Sequence, residues 1–249
     1  MNKKSKYFIY SLIIFLIFII GNGIYADISV KDLKNEYANE YSQFIEIDEM
    51  DVHYRDEGEK FHLAGNSLGG NIAWNYAADY PGKVEKLILV DASGLPSNKS
   101  QPAIFKMAKT PILNSLFLYI TPKFLIKKNI EEVYEDDTKI TDELINRYHK
   151  MALRVGNRKA FIDRAKTDFK LDAQVNLEKL KSIQTPTLLI WGAKDLWIPL
   201  ANGIRMNEIL VNSKLEVLEN SGHVPMEENP IESLKLMNDF LLTSEINKE

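Results

Sequence analysis

The pattern of apolar and polar residues divides the chain into regions of different character. Residues 7–20 are apolar without a break, and several later apolar runs are short and end at turn residues. From about residue 97 to 179, apolar and charged residues alternate in longer, mostly helical stretches. Short apolar strands separated by helices are typical of a parallel sheet that is covered on both faces. The sequence therefore predicts an α/β fold with a helical insertion.

Individual elements can be placed from the same pattern. The segment NIAWNYAADYPGKV, residues 71–84, has apolar residues at helical spacing, namely Ile72, Ala73, Tyr76 and Ala77, and Pro81 and Gly82 end the helix. The last helix begins near Asn229, a favourable N-cap residue, with Pro230 at its first position. Strands are predicted in five segments, the first of which holds two strands around a turn: 44–58, 60–65, 86–96, 186–195 and 213–223.

The N-terminus carries an export or membrane signal. Lys3, Lys4 and Lys6 precede the apolar run, which is the pattern of a signal peptide or an anchor over residues 1–26. Cleavage would follow Gly23 more readily than Ala26, and a retained segment would span a membrane. In both cases we expect the remainder of the chain, a single domain over 27–249 with a helical cap at 97–179, to face away from the cytoplasm.

Composition excludes several classes of partner. The formal net charge is −4 and there is no basic stripe, so no nucleic acid is expected. There is no Cys, and the four His are scattered without metal-ligand spacing, so we expect no metal and no cofactor. The expected partners are a small-molecule substrate and, if the N-terminal segment is retained, a membrane. No pattern sets an oligomeric state.

A candidate nucleophile lies between a strand and a helix. Gly65-Asn66-Ser67-Leu68-Gly69 is a G-x-S-x-G nucleophile elbow, with an apolar strand before it and a helix after it. The turn is so tight that its flanking positions must be small, and it pushes the Ser67 hydroxyl out above the sheet. The positive end of the following helix then points at any anion that forms there.

A hydroxyl needs a base and an orienting acid to become a nucleophile. The chain order expected after such an elbow is acid, then His, and Asp195 and His223 both follow predicted strands in that order. We therefore predict Ser67 as nucleophile, His223 as general base and Asp195 as its orienting acid. Asp91, at the end of another strand, is a second candidate acid.

The other histidines receive structural interpretations. His53 and His62 lie inside predicted strands and are expected to be packed or half-buried. His149 lies in a charged stretch of the cap and is expected to be solvated.

From Phe44 to its end the sequence resembles α/β-hydrolase fold proteins with a helical cap. Four segments match family blocks in order: FHLAGNSLGGNIAW, KLILVDASGLP, TPTLLIWGAKDLWIP and LENSGHVPMEENP. The GNSLGG segment is similar to the elbow of meta-cleavage-product hydrolases, which break carbon–carbon bonds, and carboxylesterases share much of it. The resemblance implies a serine hydrolase of small, apolar esters or related acyl compounds, with carbon–carbon cleavage as the alternative.

One segment of the family's sequence pattern is missing from this chain. The family has two further strand–helix units before the elbow, roughly 60 residues, yet only Glu59 separates residues 55–58 from the elbow strand. No His-Gly pair precedes Ser67, so Leu68 offers one oxyanion N–H and the second donor has no visible source. We interpret this as an internal deletion that exposes apolar surface along the strand at Phe61. Residues 53–55 could cover it by pairing antiparallel with 61–63.

Three functional hypotheses follow. The first is an exported or membrane-anchored serine hydrolase. The second is a truncated, catalytically silent hydrolase-like protein that binds a ligand or partner through its cap. The third is a membrane-attached interaction module without a pocket.

Overall fold

The computed structural model describes residues 3–40, 42–47, 50–54, 60–95, 102–166 and 173–243. Its strands are β1 (Gln43–Ile47), β2 (Met50–Tyr54), β3 (Phe61–Asn66), β4 (Val84–Val90), β5 (Thr187–Gly192) and β6 (Ser213–Leu218). Its α-helices are α1 (Lys3–Gly23), α2 (Val30–Tyr37), α3 (Leu68–Asp79), α4 (Ala103–Lys109), α5 (Pro111–Phe117), α6 (Lys123–Val133), α7 (Asp142–Ala152), α8 (Asn157–Lys166), α9 (Ala173–Ser182), α10 (Leu200–Ile209), α11 (Pro225–Glu228) and α12 (Pro230–Leu242). A 3₁₀ turn covers Asp137–Lys139.

The chain divides into two compact units. The sheet unit comprises residues 41–100, 131–139 and 169–249, and the helical unit comprises residues 1–40, 101–130 and 140–168. Ser67, Asp195 and His223 all belong to the sheet unit.

The sheet unit contains a four-stranded parallel sheet in the order β3-β4-β5-β6. Its strands are short apolar runs, and β5 is buried along its whole length. This is the parallel sheet that the sequence predicts. The carboxyl ends of β3, β5 and β6 lead into the segments that carry the three candidate catalytic residues, so the sheet brings these segments to one edge.

The expected pairing of residues 53–55 with 61–63 is wrong for the residues that the structure describes. Strand β2 pairs antiparallel with β1 only, and β3 is an edge strand that pairs with β4. Neighbouring strands in the chain pair at a low cost in loop-closure entropy, which favours the local β1–β2 hairpin. Arg55 lies outside the described residues. Phe61 and Leu63 are half-buried rather than exposed, and the Phe61 ring lies 5.8 Å from that of Tyr76.

Apolar side chains cover both faces of the central strands β4 and β5. Alternate positions of β4 and β5, such as Leu89 and Trp191, join a cluster with side chains of α3, α9 and α10. The positions between them, such as Val90 and Ile190, join a second cluster with Phe240 of α12. Burial of central strands on both faces explains why their sequences are continuously apolar instead of alternating.

The last helix is fixed to β4 by one lysine. Lys86 Nζ donates to the carbonyls of Phe240, Leu241 and Thr243 at 2.7, 2.8 and 2.6 Å. These are carbonyls at the end of a helix, where the backbone lacks partners and where a positive charge is favourable. At the other end of α12, Asn229 and Pro230 occupy the predicted positions, although the Asn229 side chain makes no capping bond.

In the helical unit, the segment after α1 is bonded to the helices of the insertion. Ile24 forms a β-bridge with Ile120, and Ile28 forms one with Arg154. The Thr121 N–H donates to the Gly23 carbonyl at 2.7 Å. The residues that follow the apolar helix are therefore a structural part of the helical unit.

Helix α1 is an apolar rod. Its stretch Ser5–Gly23 is long and apolar enough to cross a membrane, and only 6% of that stretch is buried. Large apolar side chains are exposed along its length, for example Phe8, Ile14 and Ile17.

Two histidine expectations are wrong. His149 is buried, not solvated: its Nε2 lies 2.9 Å from the Thr121 carbonyl, and its ring meets that of Tyr25 edge-on at 4.4 Å. This burial lowers the pKa of His149. His62 is exposed together with Ala64, because alternate side chains of β3 point to opposite faces and the half-buried Phe61 and Leu63 occupy the other face. The side chain of His53 lies outside the described residues.

The two glycines of the elbow have unequal steric roles. A Cβ at Gly65 would lie 2.3 Å from the Gly69 carbonyl oxygen, whereas a Cβ at Gly69 would meet nothing within 4 Å. Gly70 is also confined, since its Cβ would lie 2.5 Å from the Cβ of Ala92. The elbow therefore needs small residues at positions 65 and 70 to let helix α3 approach the sheet.

We expect Gly65→Ala to destabilise the protein and Gly69→Ala to leave stability almost unchanged. The first substitution forces backbone against backbone, which typically costs about 1–3 kcal/mol or more, whereas the second adds a methyl group in open space. Urea unfolding followed by circular dichroism measures both. Equal stability of the two variants would contradict this account of the elbow.

Candidate active site

Ser67 lies in a strained turn between β3 and α3. Its φ and ψ are 53° and −116°, a conformation that side chains other than glycine rarely adopt. The turn is held by hydrogen bonds from the Ser67 N–H to the Val90 carbonyl and from the Ser93 N–H to the Ser67 carbonyl, both 3.0 Å long. Leu68 is the first residue of α3, so its N–H is among those without a partner inside the helix. Strain at this position is typical of a functional turn.

Asp195 and His223 form a buried pair. His223 Nδ1 lies 2.7 Å from Asp195 Oδ2, and the His223 and Asp195 side chains are 4% and 0% exposed. The other Asp195 oxygen accepts hydrogen bonds from the N–H groups of Trp197 and Ile198, at 2.7 and 2.9 Å. A carboxylate fixed in this way accepts the Nδ1 proton of a neutral imidazole, which leaves Nε2 as the basic nitrogen.

The elbow and the histidine segment are joined by Asn66. Its Nδ2 donates to the Val90 carbonyl at 3.2 Å and to the His223 carbonyl at 3.1 Å. Within the described residues, no hydrogen bond joins the Ser67 hydroxyl to the His223 ring. Hydrogen bonds between a nucleophile and its base are often long before a substrate binds, so the absence of this bond does not argue against Ser67 and His223 as a catalytic pair.

Glu228, which no sequence pattern singles out, holds the segment that carries His223. This buried carboxylate accepts hydrogen bonds from the N–H groups of Gly222, Glu135 and Asp136 at 2.7, 2.8 and 2.8 Å. The His223 N–H donates to the Val133 carbonyl at 2.7 Å. Glu228 stands next to Glu227 in an acidic stretch, so no sequence signal separates its role from that of a solvated acid.

Two glycines allow the strand ends to come close. A Cβ at Gly192 would lie 1.9 Å from the Gly222 carbonyl oxygen, and a Cβ at Gly222 would lie 2.3 Å from the Val133 carbonyl oxygen. Backbone contact at this point brings the segment with Asp195 against the segment with His223. This close contact is a precondition for the short hydrogen bond between the two side chains.

Asp91, the second candidate acid, lies beside the pair but does not hold the imidazole. It is fully buried, its φ is 42°, and its Oδ1 accepts the Gly192 N–H at 3.0 Å, whereas its Oδ2 has no partner. The pKa of Asp91 is raised well above its usual range. Burial is the largest cause, and the negative charge of Asp195 is the second. A protonated Asp91 would add no second negative charge beside Asp195.

Ligand atoms of Asp91, Asp195 and His223 lie within 4.8 Å of one another, a spacing that could hold a metal ion. However, His223 Nδ1 and both oxygens of Asp195 already take part in hydrogen bonds. The three residues are therefore better described as a hydrogen-bonded pair with a neighbouring acid.

The raised pKa of Asp91 gives a pH-dependent prediction. Asp91 has a pKa of about 3.9 in the unfolded chain, so the folded protein retains the proton to higher pH. Its contribution to stability therefore declines as the pH rises above about 4 towards the folded pKa. We expect the stability of Asp91→Asn, relative to the wild type, to increase from about pH 4 to about pH 7.

Urea unfolding of both proteins across this range measures the difference. Asp239→Asn is the control, because Asp239 is 64% exposed and lies on the surface of α12. A stability difference for Asp91→Asn that stays constant with pH would contradict the assigned protonation.

Comparison with known proteins identifies the family. Residues 25–234 match the sequence profile of the alpha/beta hydrolase family. The chain is 31% identical over 186 residues to a 2-hydroxy-6-oxo-6-phenylhexa-2,4-dienoate hydrolase of Comamonas testosteroni, covering 74% of this chain and 63% of the relative. It is 30% identical over 198 residues to a monoacylglycerol lipase of Mus musculus, and the match covers 73% of this chain and 54% of the relative.

A solved structure with a similar fold is that of a membrane phospholipase A. Its TM-score is 0.55 at 28% identity, and the match covers 74% of this chain and 57% of the other. The chain thus spans less than two thirds of the length of each of these relatives. Because the profile match extends over most of the chain, the protein belongs to the alpha/beta hydrolase family.

Proposed function

We propose that the protein is a serine hydrolase that acts on small, largely apolar esters through Ser67, His223 and Asp195. The observation that carries this proposal is the buried hydrogen bond between His223 and Asp195, next to a strained serine at the start of a helix. A structural role alone would not require a serine in such a conformation. The relatives support hydrolysis as the reaction class, because they include a monoacylglycerol lipase and a dienoate hydrolase.

In the proposed mechanism, His223 Nε2 takes the proton of the Ser67 hydroxyl as its oxygen attacks the substrate carbonyl. Asp195 keeps the Nδ1 proton in place and stabilises the imidazolium. His223 then gives the proton to the leaving alcohol, and an acyl-serine ester forms. Water, activated by the same imidazole, releases the acid and restores the Ser67 hydroxyl.

The developing oxyanion would be held by the Leu68 N–H and by the positive end of α3. The family takes a second donor from a loop after its third strand, and no segment before Ser67 matches that loop. Loss of one oxyanion donor costs about 10²–10³ in rate. We therefore expect slower turnover than that of a relative with both donors.

Ester hydrolysis can be tested with p-nitrophenyl esters of short fatty acids. We expect Ser67→Ala and His223→Ala each to lower kcat/KM by at least about a thousandfold, because each removes a group that acts with the others as a unit. Ser182→Ala is a matched control, since Ser182 is exposed on α9. A fluorophosphonate probe should label the wild type and not Ser67→Ala.

Hydrolysis that persists in both variants would show that another site or a contaminant is responsible. Labelling of Ser67→Ala at the wild-type level would likewise exclude Ser67 as the nucleophile.

Carbon–carbon hydrolysis is the second candidate activity. It is favoured by the similarity to the Comamonas testosteroni enzyme, whose name gives 2-hydroxy-6-oxo-6-phenylhexa-2,4-dienoate as its substrate. The same compound can be offered beside the esters. Turnover of the dienoate in preference to the esters would assign the protein to this chemistry.

A silent, ligand-binding protein is the third candidate. The observation that favours it is that no segment before Ser67 matches the loop from which the family takes its second oxyanion donor. An inactive protein with a folded sheet unit and an intact helical unit would be the outcome that supports it.

We further propose that α1 anchors the protein in a membrane, with the other residues outside the cytoplasm. Support comes from the exposed apolar surface of α1 and from Lys3, Lys4 and Lys6, which lie at the start of the helix, before its apolar run. We expect the protein to stay in the membrane pellet after carbonate washing and to dissolve in detergent. Two lysines placed mid-helix, Ile14→Lys with Ile17→Lys, should release it. Release of the wild type by carbonate would contradict an anchor.

A further inference from the structure

Helix α5 and the residues just after it carry a row of apolar side chains on the surface of the helical unit. Ile112, Leu116 and Tyr119 recur at helical spacing, and they are 77%, 44% and 68% exposed. Ser115 lies on the same face of α5 and is also exposed. Single exposed apolar side chains are normal on a protein surface, whereas a contiguous group of them marks a surface that binds a partner or a membrane.

The two helices on either side of α5 in the chain are rich in lysine. Five lysines lie there, namely Lys106 and Lys109 on α4 and Lys123, Lys127 and Lys128 on α6. All are exposed except Lys109, which is half-buried. Residues 102–130 contain no Asp and no Glu, although the whole chain has a formal net charge of −4. We call the exposed side chains of residues 103–128 the interfacial patch.

The interfacial patch adjoins the end of the apolar helix α1. The Thr121 N–H donates to the Gly23 carbonyl at 2.7 Å, and Ile24 forms a β-bridge with Ile120. Because α5 and α6 are short, Ile112 and Lys128 both lie within about 20 Å of this junction.

The length of α1 sets where this junction lies when the helix spans a membrane. Its 21 residues extend about 32 Å, close to the hydrocarbon thickness of roughly 30 Å. The last residue, Gly23, therefore reaches the lipid head groups. Since Gly23 is bonded to Thr121, the interfacial patch begins at the membrane surface.

The chemistry of the interfacial patch matches an anionic lipid surface. Ammonium groups near such a surface are attracted by its negative potential, which extends over a Debye length of about 8–10 Å. Aliphatic side chains and Tyr are favoured at the boundary between head groups and acyl chains. A nucleic acid would attract the lysines, but it offers no apolar layer for Ile112 and Leu116.

We propose that the interfacial patch binds the surface of a bilayer that contains anionic phospholipids, with α5 lying in the head-group layer. The proposal rests on α1 as the membrane anchor, because the patch follows the point where α1 leaves the bilayer. The protein then has two membrane contacts, a spanning helix and a surface contact. The second contact fixes the orientation of the helical unit on the bilayer.

The chain has no Cys, so one fluorophore can be attached at a single introduced cysteine. Ser115→Cys, labelled with nitrobenzoxadiazole, reports on the apolar row. Ser182→Cys is the control position, because Ser182 is exposed on α9, where charges of both signs lie close together, as in the Lys181–Glu178 ion pair.

The full-length labelled proteins are reconstituted into phosphatidylcholine vesicles with or without phosphatidylglycerol. A lipid with a doxyl group on its acyl chain quenches fluorophores that reach the boundary of the hydrocarbon layer. We expect quenching at position 115 in vesicles with phosphatidylglycerol, weaker quenching without it or at high salt, and none at position 182.

Two double variants separate the contributions of charge and apolar surface, each with the label at position 115. A lysine near an anionic surface favours contact about fivefold, so we expect Lys127→Gln with Lys128→Gln to shift the binding equilibrium of the patch about 25-fold. Ile112→Gln with Tyr119→Gln should shift it at least about tenfold, since both side chains lose apolar burial.

Lys214→Gln with Lys235→Gln is the matched control for charge. It changes the net charge by the same amount in the sheet unit, where these side chains are 60% and 74% exposed. We expect wild-type quenching at position 115 in this control. All these substitutions are at exposed positions, so circular dichroism should show the wild-type fold in each variant.

An unquenched fluorophore at position 115 in anionic vesicles would overturn the proposal. Quenching that neither phosphatidylglycerol nor the two lysines of α6 change would also overturn it. Self-quenching between labelled molecules that rises with the protein-to-lipid ratio would indicate a second copy on the patch, and would overturn it as well.

Vesicle flotation separates the surface contact from the anchor. Protein that fails to float with the vesicles would overturn both, whereas floating protein with an unquenched fluorophore at position 115 would overturn the surface contact alone. Ester hydrolysis plays no part in these readouts, so a failure here and a failure of the proposed serine chemistry can be told apart.

Discussion

The hydrogen bond between His223 and Asp195 depends on how closely two chain segments approach each other past the ends of β5 and β6. Gly192 and Gly222 bring the backbones into contact, and Asp195 is fixed by two backbone N–H groups. Glu228 binds three further N–H groups around the histidine segment. A neutral imidazole can thus be held in one orientation before any substrate arrives. Rigidity of this kind is what general-base chemistry requires, since reorientation during the reaction would raise the barrier.

The sheet explains why residues so distant in sequence converge. Parallel strands present their carboxyl ends at one edge, and β3, β5 and β6 each lead into a segment with one candidate residue. Apolar side chains on both faces of the sheet hold the strands in register, and Lys86 fixes the closing helix to β4. The helical unit is organised differently. The segment after α1 is built into it, and an apolar cavity lies among its helices.

Much of this architecture follows from local sequence. Continuous apolar runs indicate strands that are buried on both faces, and the Gly-Asn-Ser-Leu-Gly segment indicates a sharp turn before a helix. The burial of Glu228 and His149 could not be predicted, because each lies in a charged stretch and is buried by residues distant in the chain. The pairing of β2 was wrong for a related reason. Period-two patterns give the faces of a strand and not its neighbour, and a short connection to β1 decided the partner.

The central claim is that the Nδ1–H of His223 donates a hydrogen bond to a fixed Asp195 carboxylate. Proton NMR in water tests this most directly, since a proton in a short, buried histidine–carboxylate bond resonates far downfield of the amide region. We predict such a resonance in the wild type and in Ser67→Ala, and its loss in Asp195→Ala and in His223→Ala. A folded wild-type protein without this resonance, or one whose resonance survives in Asp195→Ala, would contradict the account.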